Sequence, residues 1–439
     1  MDFLEFSPQC CDADAYAGRG YQCALGFSGC YSPIRPMGIV LWYSLHYRVG
    51  LPLVSYLYIN LLLLLFSSVL LGVAFSRLLP RRLRVEQPAI GAIAPSLSSL
   101  TAHLVFFWPT MFNTLSDTPA GLWALLGIGA LLNLGAKTEF YYVLLAALAL
   151  GFAAWMRAFY LYPLYGALAV FLILWLKPQN REYRSLLVLL ALSPVAVQHW
   201  VTYSRTGEAS YLDHRKEADW ATRHLTSKAK GYDTLLYGTP PPKSVPLEAI
   251  LAKKGHYGEA PNHPQFDNRI RVNAYYWPSN CSSKELGLLD AWRKGEIKVA
   301  ACLVFARLDF YLRSYSPRSY LLGGLGSRKF SVWFLLANGF AFIACCWLLV
   351  DSLRSCRPGM WAATTFLATS AAEAIVIIPE QRFFAVPQVV IWTACLVSVT
   401  AFVLRRAVER RKAVPPDWPE AAGSAPADSE ATSGGTSRG

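Results

Sequence analysis

Charged residues are scarce in this sequence. They make up 16% of the 439 residues, whereas 54% are hydrophobic, and the mean hydropathy is positive. A soluble globule of this length needs a large polar surface, and so few charged side chains leave too little of it. The composition therefore excludes an ordinary soluble protein and predicts a polytopic membrane protein.

Motifs of soluble enzymes and of metal sites are also missing. No glycine-rich phosphate-binding loop and no nucleophile elbow stands in the strand-to-helix context that such a motif needs. The ten cysteines include no spaced CxxC units with histidines, so no zinc site is expected. We expect no cofactor and no resident metal, although the sequence leaves a requirement for a divalent ion open.

Long apolar stretches are what the sequence has instead. Roughly 17 to 25 mostly apolar residues suffice to cross a bilayer, and we predict nine such spans. They are residues 53–79, 90–112, 120–134, 141–155, 159–176, 186–203, 332–350, 361–378 and 384–404. The third and fourth are short, which leaves tilt, partial burial or displaced ends open.

The basic residues support one topology. Lys and Arg in short loops tend to stay on the cytoplasmic side, and the basic groups at 77–84, 177–184 and 405–412 all fall there if the N-terminus lies outside. The formal net charge of +13 is thereby explained without nucleic acid as a partner.

This topology predicts five regions. An external N-terminal loop (1–52) holds a candidate catalytic Asp, and a transmembrane bundle follows (53–203). A large external loop (204–330) carries an amphipathic helix over 286–311. The C-terminal transmembrane helices (331–404) precede a basic, disordered cytoplasmic tail (405–439).

The N-terminal loop carries the densest candidate chemistry. Asp12 and Tyr16 are four residues apart, so on a short helix they share one face, while Asp14 points elsewhere. Arg35-Pro36 then leads into an aromatic stretch at 41–47. Cysteines in this loop would face an oxidising side, where a disulfide such as Cys23–Cys30 forms. Free thiols packed as small apolar residues are the alternative.

This loop resembles the first external loop of the GT-C superfamily, the membrane glycosyltransferases that use polyprenyl-phosphate sugars. In the protein mannosyltransferase and aminoarabinose transferase branch (glycosyltransferase family 39-like), an Asp, a Tyr four residues later and an Arg/Pro-rich helix entry correspond to Asp12, Tyr16 and Arg35-Pro36. Further similar strings follow in the family's order. They are LSDTPA around Asp117, Arg157 with YPL at 162–164, WVTYSRTG at 200–207, GYDTLLYGT around Tyr237, and PEQRFFAVP with Glu380 and Arg382.

The resemblance implies a fold and a reaction. The fold would be an all-α, GT-C-like bundle of about nine transmembrane helices, with external loops carrying short helices. The reaction would be an inverting transfer of a sugar from a polyprenyl-phosphate carrier to a lipid, glycan or protein acceptor. It would occur on the outer face of a bacterial-type plasma membrane.

The resemblance also implies the residues of the site. Asp12 would be the general base toward the acceptor hydroxyl. Asp14 takes its place if the alignment with the family shifts by two residues. The residues expected to bind substrate, with arginines suited to the carrier phosphate, are Tyr16, Arg35, Asp117, Arg157, Tyr237, Glu380 and Arg382.

Six of these residues have a structural alternative. Asp12 would be a solvated loop acid and Tyr16 a packing residue. Asp117 would cap a helix N-terminus, and Arg157 would reach lipid headgroups. Glu380 and Arg382 would form salt bridges.

His103 and Glu373 lie at membrane depth, where polar residues are often functional. A lone His in such a place more commonly makes a hydrogen bond between helices.

Two other functions compete with glycosyl transfer. A transporter or flippase of lipid-linked glycans predicts paired repeats and several deeply buried charges, and the sequence has neither beyond His103 and Glu373. Members of the GT-C superfamily normally have a helix before the catalytic loop, and this sequence shows none. A real absence of that helix favours a catalytically silent membrane scaffold. The alternative explanation is a start that omits an upstream helix.

Overall fold

The structure is a computed structural model. It describes residues 12–32, 35–51, 55–79, 88–111, 116–134, 140–174, 181–212, 292–314, 328–353, 358–376 and 384–413.

Regular structure in these ranges is entirely helical, as predicted. The helices are α1 (Asp12–Leu25), α2 (Met37–Arg48), α3 (Ser55–Leu78), α4 (Pro88–Met111), α5 (Asp117–Asn133), α6 (Phe140–Met156), α7 (Leu161–Leu174), α8 (Arg181–Thr206), α9 (Ile297–Ser314), α10 (Arg328–Leu353), α11 (Pro358–Val376) and α12 (Ala385–Ala413). Short 3-10 turns occupy Phe27–Cys30 and Ala158–Tyr160. Pro88 and Pro358 each stand at the first position of a helix, where no backbone N–H is needed.

The nine predicted apolar stretches all lie on helices, namely α3 to α8 and α10 to α12. Within the described ranges, two segments, Ser55–Leu78 and Ala385–Glu409, are long and apolar enough to cross a membrane. Four shorter apolar segments accompany them, Gly91–Phe107, Phe140–Met156, Ala158–Leu174 and Leu335–Val350. The helices are thus confirmed, and the multi-pass arrangement stays a prediction.

Two predicted boundaries were wrong. The amphipathic helix expected over 286–311 is interrupted, because Gly295 has a φ of 73°, a left-handed conformation that glycine adopts without steric cost. Trp292 and Arg293 are helical before this turn, a new helix runs from Ile297 to Ser314, and residues 286–291 lie outside the described residues. The tail expected to be disordered from 405 instead continues α12 as far as Ala413. There Arg405 Nε donates to Glu409 Oε1 at 2.6 Å, a pair one turn apart that supports the helix. Residues 414–439 lie outside the described residues.

The helices pack in a bundle through close backbone contacts. α3 packs against α4 and α5, α5 against α6, α6 against α8, α7 against α11, and α12 against α4 and α10. A Cβ on Gly72 would lie 2.6 Å from the Pro95 carbonyl oxygen of α4, and one on Gly151 would lie 2.6 Å from the Ala191 oxygen of α8. Small residues at these crossings are what lets neighbouring helices approach so closely.

The two ends of the bundle differ. The site end is the one that carries Tyr16, Ser116 and Arg157, which are hydrogen-bonded to one another. At the opposite end Arg77 Nη1 donates to Asn133 Oδ1 at 3.0 Å, across the ends of α3 and α5.

The N-terminal helices form a compact cap at the site end. A disulfide joins Cys23 and Cys30, so that the disulfide alternative is confirmed over free thiols. Arg48 Nη2 donates to the Cys23 carbonyl at 3.0 Å, and Arg19 Nη1 donates to the Tyr31 carbonyl at 3.2 Å. These contacts tie α1, the disulfide loop and α2 into one unit.

A polar network crosses the middle of the bundle around His103, which is fully buried. Its Nδ1 lies 2.8 Å from the Ser99 carbonyl oxygen and its Nε2 lies 3.0 Å from Ser67 Oγ of α3. A carbonyl can only accept, so Nδ1 carries the proton and Nε2 accepts from the serine. The predicted hydrogen bond between helices is confirmed.

Ser67→Ala tests this network. The change removes the hydroxyl that donates to His103 and leaves a buried ring nitrogen unpaired, so we expect a loss of about 0.5–2 kcal/mol. The measurement is the free energy of unfolding in detergent micelles. Ser96→Ala is the control, because Ser96 Oγ donates only to the Ala92 carbonyl of its own helix. Equal losses in the two variants would contradict a stabilising role for the network.

Candidate functional site

Four of the predicted site residues come together at the site end. Tyr16 lies on α1, Arg35 just before α2, Asp117 in the first turn of α5, and Arg157 at the end of α6. The Arg35 guanidinium lies 4.5 Å from the centre of the Tyr16 ring, a cation–π contact. Ser116 Oγ donates to the Tyr16 hydroxyl at 3.3 Å.

Arg157 completes this group. Its Nη1 donates to Ser116 Oγ at 2.9 Å and forms an ion pair with the Asp117 carboxylate. We call Tyr16, Arg35, Ser116, Asp117 and Arg157 the Arg157 cluster.

The remaining predicted residues are placed less fully. Asp12 and Asp14 belong to the first turn of α1, and their side chains lie outside the described part of the structure. Since α1 is helical from Asp12 onward, backbone positions 12 and 16 fall on one face, as the spacing predicted. Tyr237, Glu380 and Arg382 lie outside the described residues.

The capping role considered for Asp117 was wrong. Ser116 precedes the helix and makes no capping hydrogen bond from its side chain, whereas Asp117 is already the first helical residue. A carboxylate there is favoured by the positive end of the helix dipole. It is also buried, since the Asp117 side chain is 5% exposed and its partner Arg157 is 16% exposed.

A break in the chain gives Arg157 its position. Arg157 has extended backbone angles between α6 and the 3-10 turn, so the helix stops there. Its N–H still bonds the Ala153 carbonyl at 3.0 Å, which fixes the residue against the end of α6. Burying an ion pair is costly unless the two charges lie close together. The junction after α6 brings the Arg157 guanidinium next to the Asp117 carboxylate.

The cluster brings two guanidinium groups, Arg35 and Arg157, to the same end of the bundle. Guanidinium groups bind phosphate and carboxylate through paired hydrogen bonds. Among the described residues no three His, Cys, Asp or Glu side chains lie together as a metal site.

Gln198 of α8 is a positioning residue that the sequence analysis missed. It is 1% exposed, and its Oε1 accepts from the Met37 backbone N–H at 2.6 Å. The first N–H groups of a helix have no partner within the helix. Gln198, on a different helix, accepts the hydrogen bond of the first N–H group of α2. Arg35 lies two residues before that point. A glutamine in an apolar helix was the only sequence signal.

Tyr211 anchors the start of the large loop beside the cluster. Its hydroxyl donates to the Ala154 carbonyl at 2.7 Å, and its own carbonyl accepts from Thr202 Oγ1 at 3.1 Å. Burial raises the pKa of Tyr211 well above its ordinary value, so the phenol stays a neutral donor. The loop therefore leaves the bundle close to Arg157.

Comparison with known proteins gives no further guide, because no family model, no curated protein and no solved structure matches this chain.

The Arg157–Asp117 pair can be tested by a double-mutant cycle. Removing one partner leaves the other charge buried alone, so Arg157→Gln and Asp117→Asn should each cost about 3–5 kcal/mol. The double variant should cost clearly less than their sum. The measurement is the free energy of unfolding in detergent.

The control cycle uses Arg405→Gln and Glu409→Gln, an exposed pair one turn apart on α12. Exposed pairs couple weakly, so these two changes should be nearly additive. Additive losses at Arg157 and Asp117 as well would contradict a coupled buried pair.

Proposed function

We propose that this chain is a multi-pass membrane glycosyltransferase. It moves a sugar from a polyprenyl-phosphate carrier to an acceptor hydroxyl on the outer face of a bacterial-type plasma membrane. The observation that carries the proposal is the convergence of Tyr16, Arg35, Asp117 and Arg157. The resemblance assigned these residues to one site, and they come from separate segments, with Tyr16 and Ser116 lying 100 positions apart.

The outer surface of the bundle supports a membrane location. The outward face of a helix in a soluble protein is polar, whereas the outward faces here carry large apolar side chains. On α3 these are Tyr58, Leu62, Leu65, Phe66 and Val69, and on α10 they are Leu336, Phe340, Phe342, Ile343, Trp347 and Val350. Extended apolar surface of this kind marks contact with lipid or with another protein, and its presence on separate helices favours lipid.

Exposed aromatic residues favour the same conclusion and locate the headgroup regions. Tyr and Trp concentrate where a bilayer meets water. At the site end they are Tyr58, Tyr162, Trp200 and Tyr203, and toward the opposite end they are Tyr141, Trp347 and Trp361. This distribution supports a place for the Arg157 cluster at headgroup level, the depth at which a polyprenyl carrier presents its phosphate.

The proposed chemistry uses two members of the Arg157 cluster together with Asp12. Arg35 and Arg157 hold the phosphate and stabilise the negative charge that grows on it as the bond to the sugar breaks. The carboxylate of Asp12 takes the proton of the acceptor hydroxyl, and the acceptor oxygen bonds to the sugar carbon from the opposite face. The electron pair of the broken bond leaves with the phosphate, and the sugar configuration inverts.

Sugar transfer is measured in membranes that contain the chain, with a panel of radiolabelled polyprenyl-phosphate sugars. Asp12→Asn preserves size and removes the base, so transfer should fall about 10²–10⁴-fold while membrane insertion is unchanged. Asp14→Asn, at the alternative base, should retain transfer; a loss there in place of Asp12→Asn would move the base to Asp14. A version extended upstream in the reading frame is assayed alongside. Failure of both lengths to transfer any sugar, or full activity in both aspartate variants, would contradict the proposal.

The topology has its own test. Arg205→Cys lies at the site end of α8, and Glu409→Cys lies far along α12, which starts at the site end and runs antiparallel to α4. Both positions are exposed. A membrane-impermeant maleimide should label the first in intact cells and the second only after permeabilisation, with the unsubstituted chain as background. Equal labelling of both in intact cells would exclude this orientation.

A further inference from the structure

One face of α11 is directed toward the Arg157 cluster and has no role in the mechanism above. Phe366, Ser370 and Glu373 are spaced four and three residues apart, so they share that face. The Phe366 ring stacks on Tyr160, with ring centres 5.9 Å apart and planes inclined by 12°. Glu373 lies within electrostatic reach of both Arg157 and Tyr160.

Two oxygen atoms on this face have no hydrogen-bond partner within the described part of the chain. They are Ser370 Oγ, on a residue with no exposed surface, and Glu373 Oε2. Many buried or partly buried hydroxyls in this bundle are paired by a hydrogen bond to a carbonyl of their own helix. Ser68, Ser98, Ser398 and the neighbouring Thr369 all adopt this arrangement.

Ser370 does not adopt this arrangement, and neither do Ser32, Ser44 and Thr364. What distinguishes Ser370 is its place on the face of α11 that is directed toward the Arg157 cluster. A buried polar atom without a partner costs free energy, and native proteins keep few of them. Such an atom beside a binding site is explained if a ligand provides the missing hydrogen bond.

The charges decide which part of a ligand fits. Arg157 pairs with Asp117, and Glu373 lies within its electrostatic reach. The carrier phosphate belongs at the guanidinium groups, because Ser370 and Glu373 offer it no positive charge. A neutral group rich in hydroxyls fits these two residues, since hydroxyls both donate to and accept from the carboxyl group of a glutamate and the hydroxyl of a serine.

We infer that Ser370 and Glu373 form the subsite that receives the hydroxyl groups of the donor sugar. This inference rests on the proposed function. The two residues are three apart, about 4.5 Å along the helix axis, so one sugar ring reaches both. The carrier phosphate then lies at Arg157 toward the headgroups, and the sugar lies against α11 beside Tyr160.

Binding of two carriers to the purified protein in lipid nanodiscs tests this subsite. The probes are a bare polyprenyl phosphate and the same polyprenyl phosphate bearing each of several hexoses or pentoses. The wild-type chain should prefer at least one sugar-bearing carrier. Ser370→Ala and Glu373→Ala should each reduce that preference about tenfold or more, because each removes the side-chain group that hydrogen-bonds to the sugar. Affinity for the bare carrier should not change, which also shows that the variants are folded.

Thr369→Val is the matched control. It is adjacent to Ser370 but faces Gly166 of α7, and its hydroxyl bonds within α11. It should alter neither affinity.

The outcomes separate the two proposals. Failure of the wild-type chain to bind the bare carrier would contradict the proposed function itself. Binding of the bare carrier without any preference for a sugar, or with a preference that survives both substitutions, would overturn the subsite alone. So would an equal loss of affinity for both kinds of carrier in the two variants, since that result marks a structural role.

Discussion

The ion pair between Arg157 and Asp117 is the constraint on which the site end depends. Neither charge tolerates burial without the other, so the end of α6 and the start of α5 must stay at the same level in the bundle. Ser116 extends the constraint, since it accepts from Arg157 and donates to Tyr16 of α1. Through Tyr16 it reaches Arg35. Loss of the pair would thus affect every described member of the cluster.

Polar groups in this bundle serve two different purposes, and their hydrogen bonding distinguishes them. His103 in the middle of the bundle has both ring nitrogens satisfied, by Ser99 and Ser67, and joins α3 to α4. Ser370 and Glu373 near the site end each retain an oxygen without a partner among the described residues. Satisfied groups hold helices together, whereas unsatisfied groups beside a charged cluster suit a ligand.

Much of the architecture could be predicted from local sequence. Apolar stretches located the helices α3 to α8 and α10 to α12, because hydropathy depends only on neighbouring residues. Boundaries were less secure. The turn at Gly295 and the continuation of α12 to Ala413 were missed, since a single glycine conformation and a pair of exposed charges decide them. Asp117 was taken as a possible cap because it precedes Thr118-Pro119, whereas the helix already includes it and Ser116 holds the cap position.

The sequence by itself determined the helical class, the apolar segments and the one-face spacing of positions 12 and 16, all of which depend on residues close together in the chain. Only the tertiary structure decided which distant side chains meet. Met37 finds Gln198 161 positions away, and Arg157 meets Ser116 41 positions away. These pairings depend on which helices are neighbours and on how each is rotated about its axis, and burial of the whole bundle sets both.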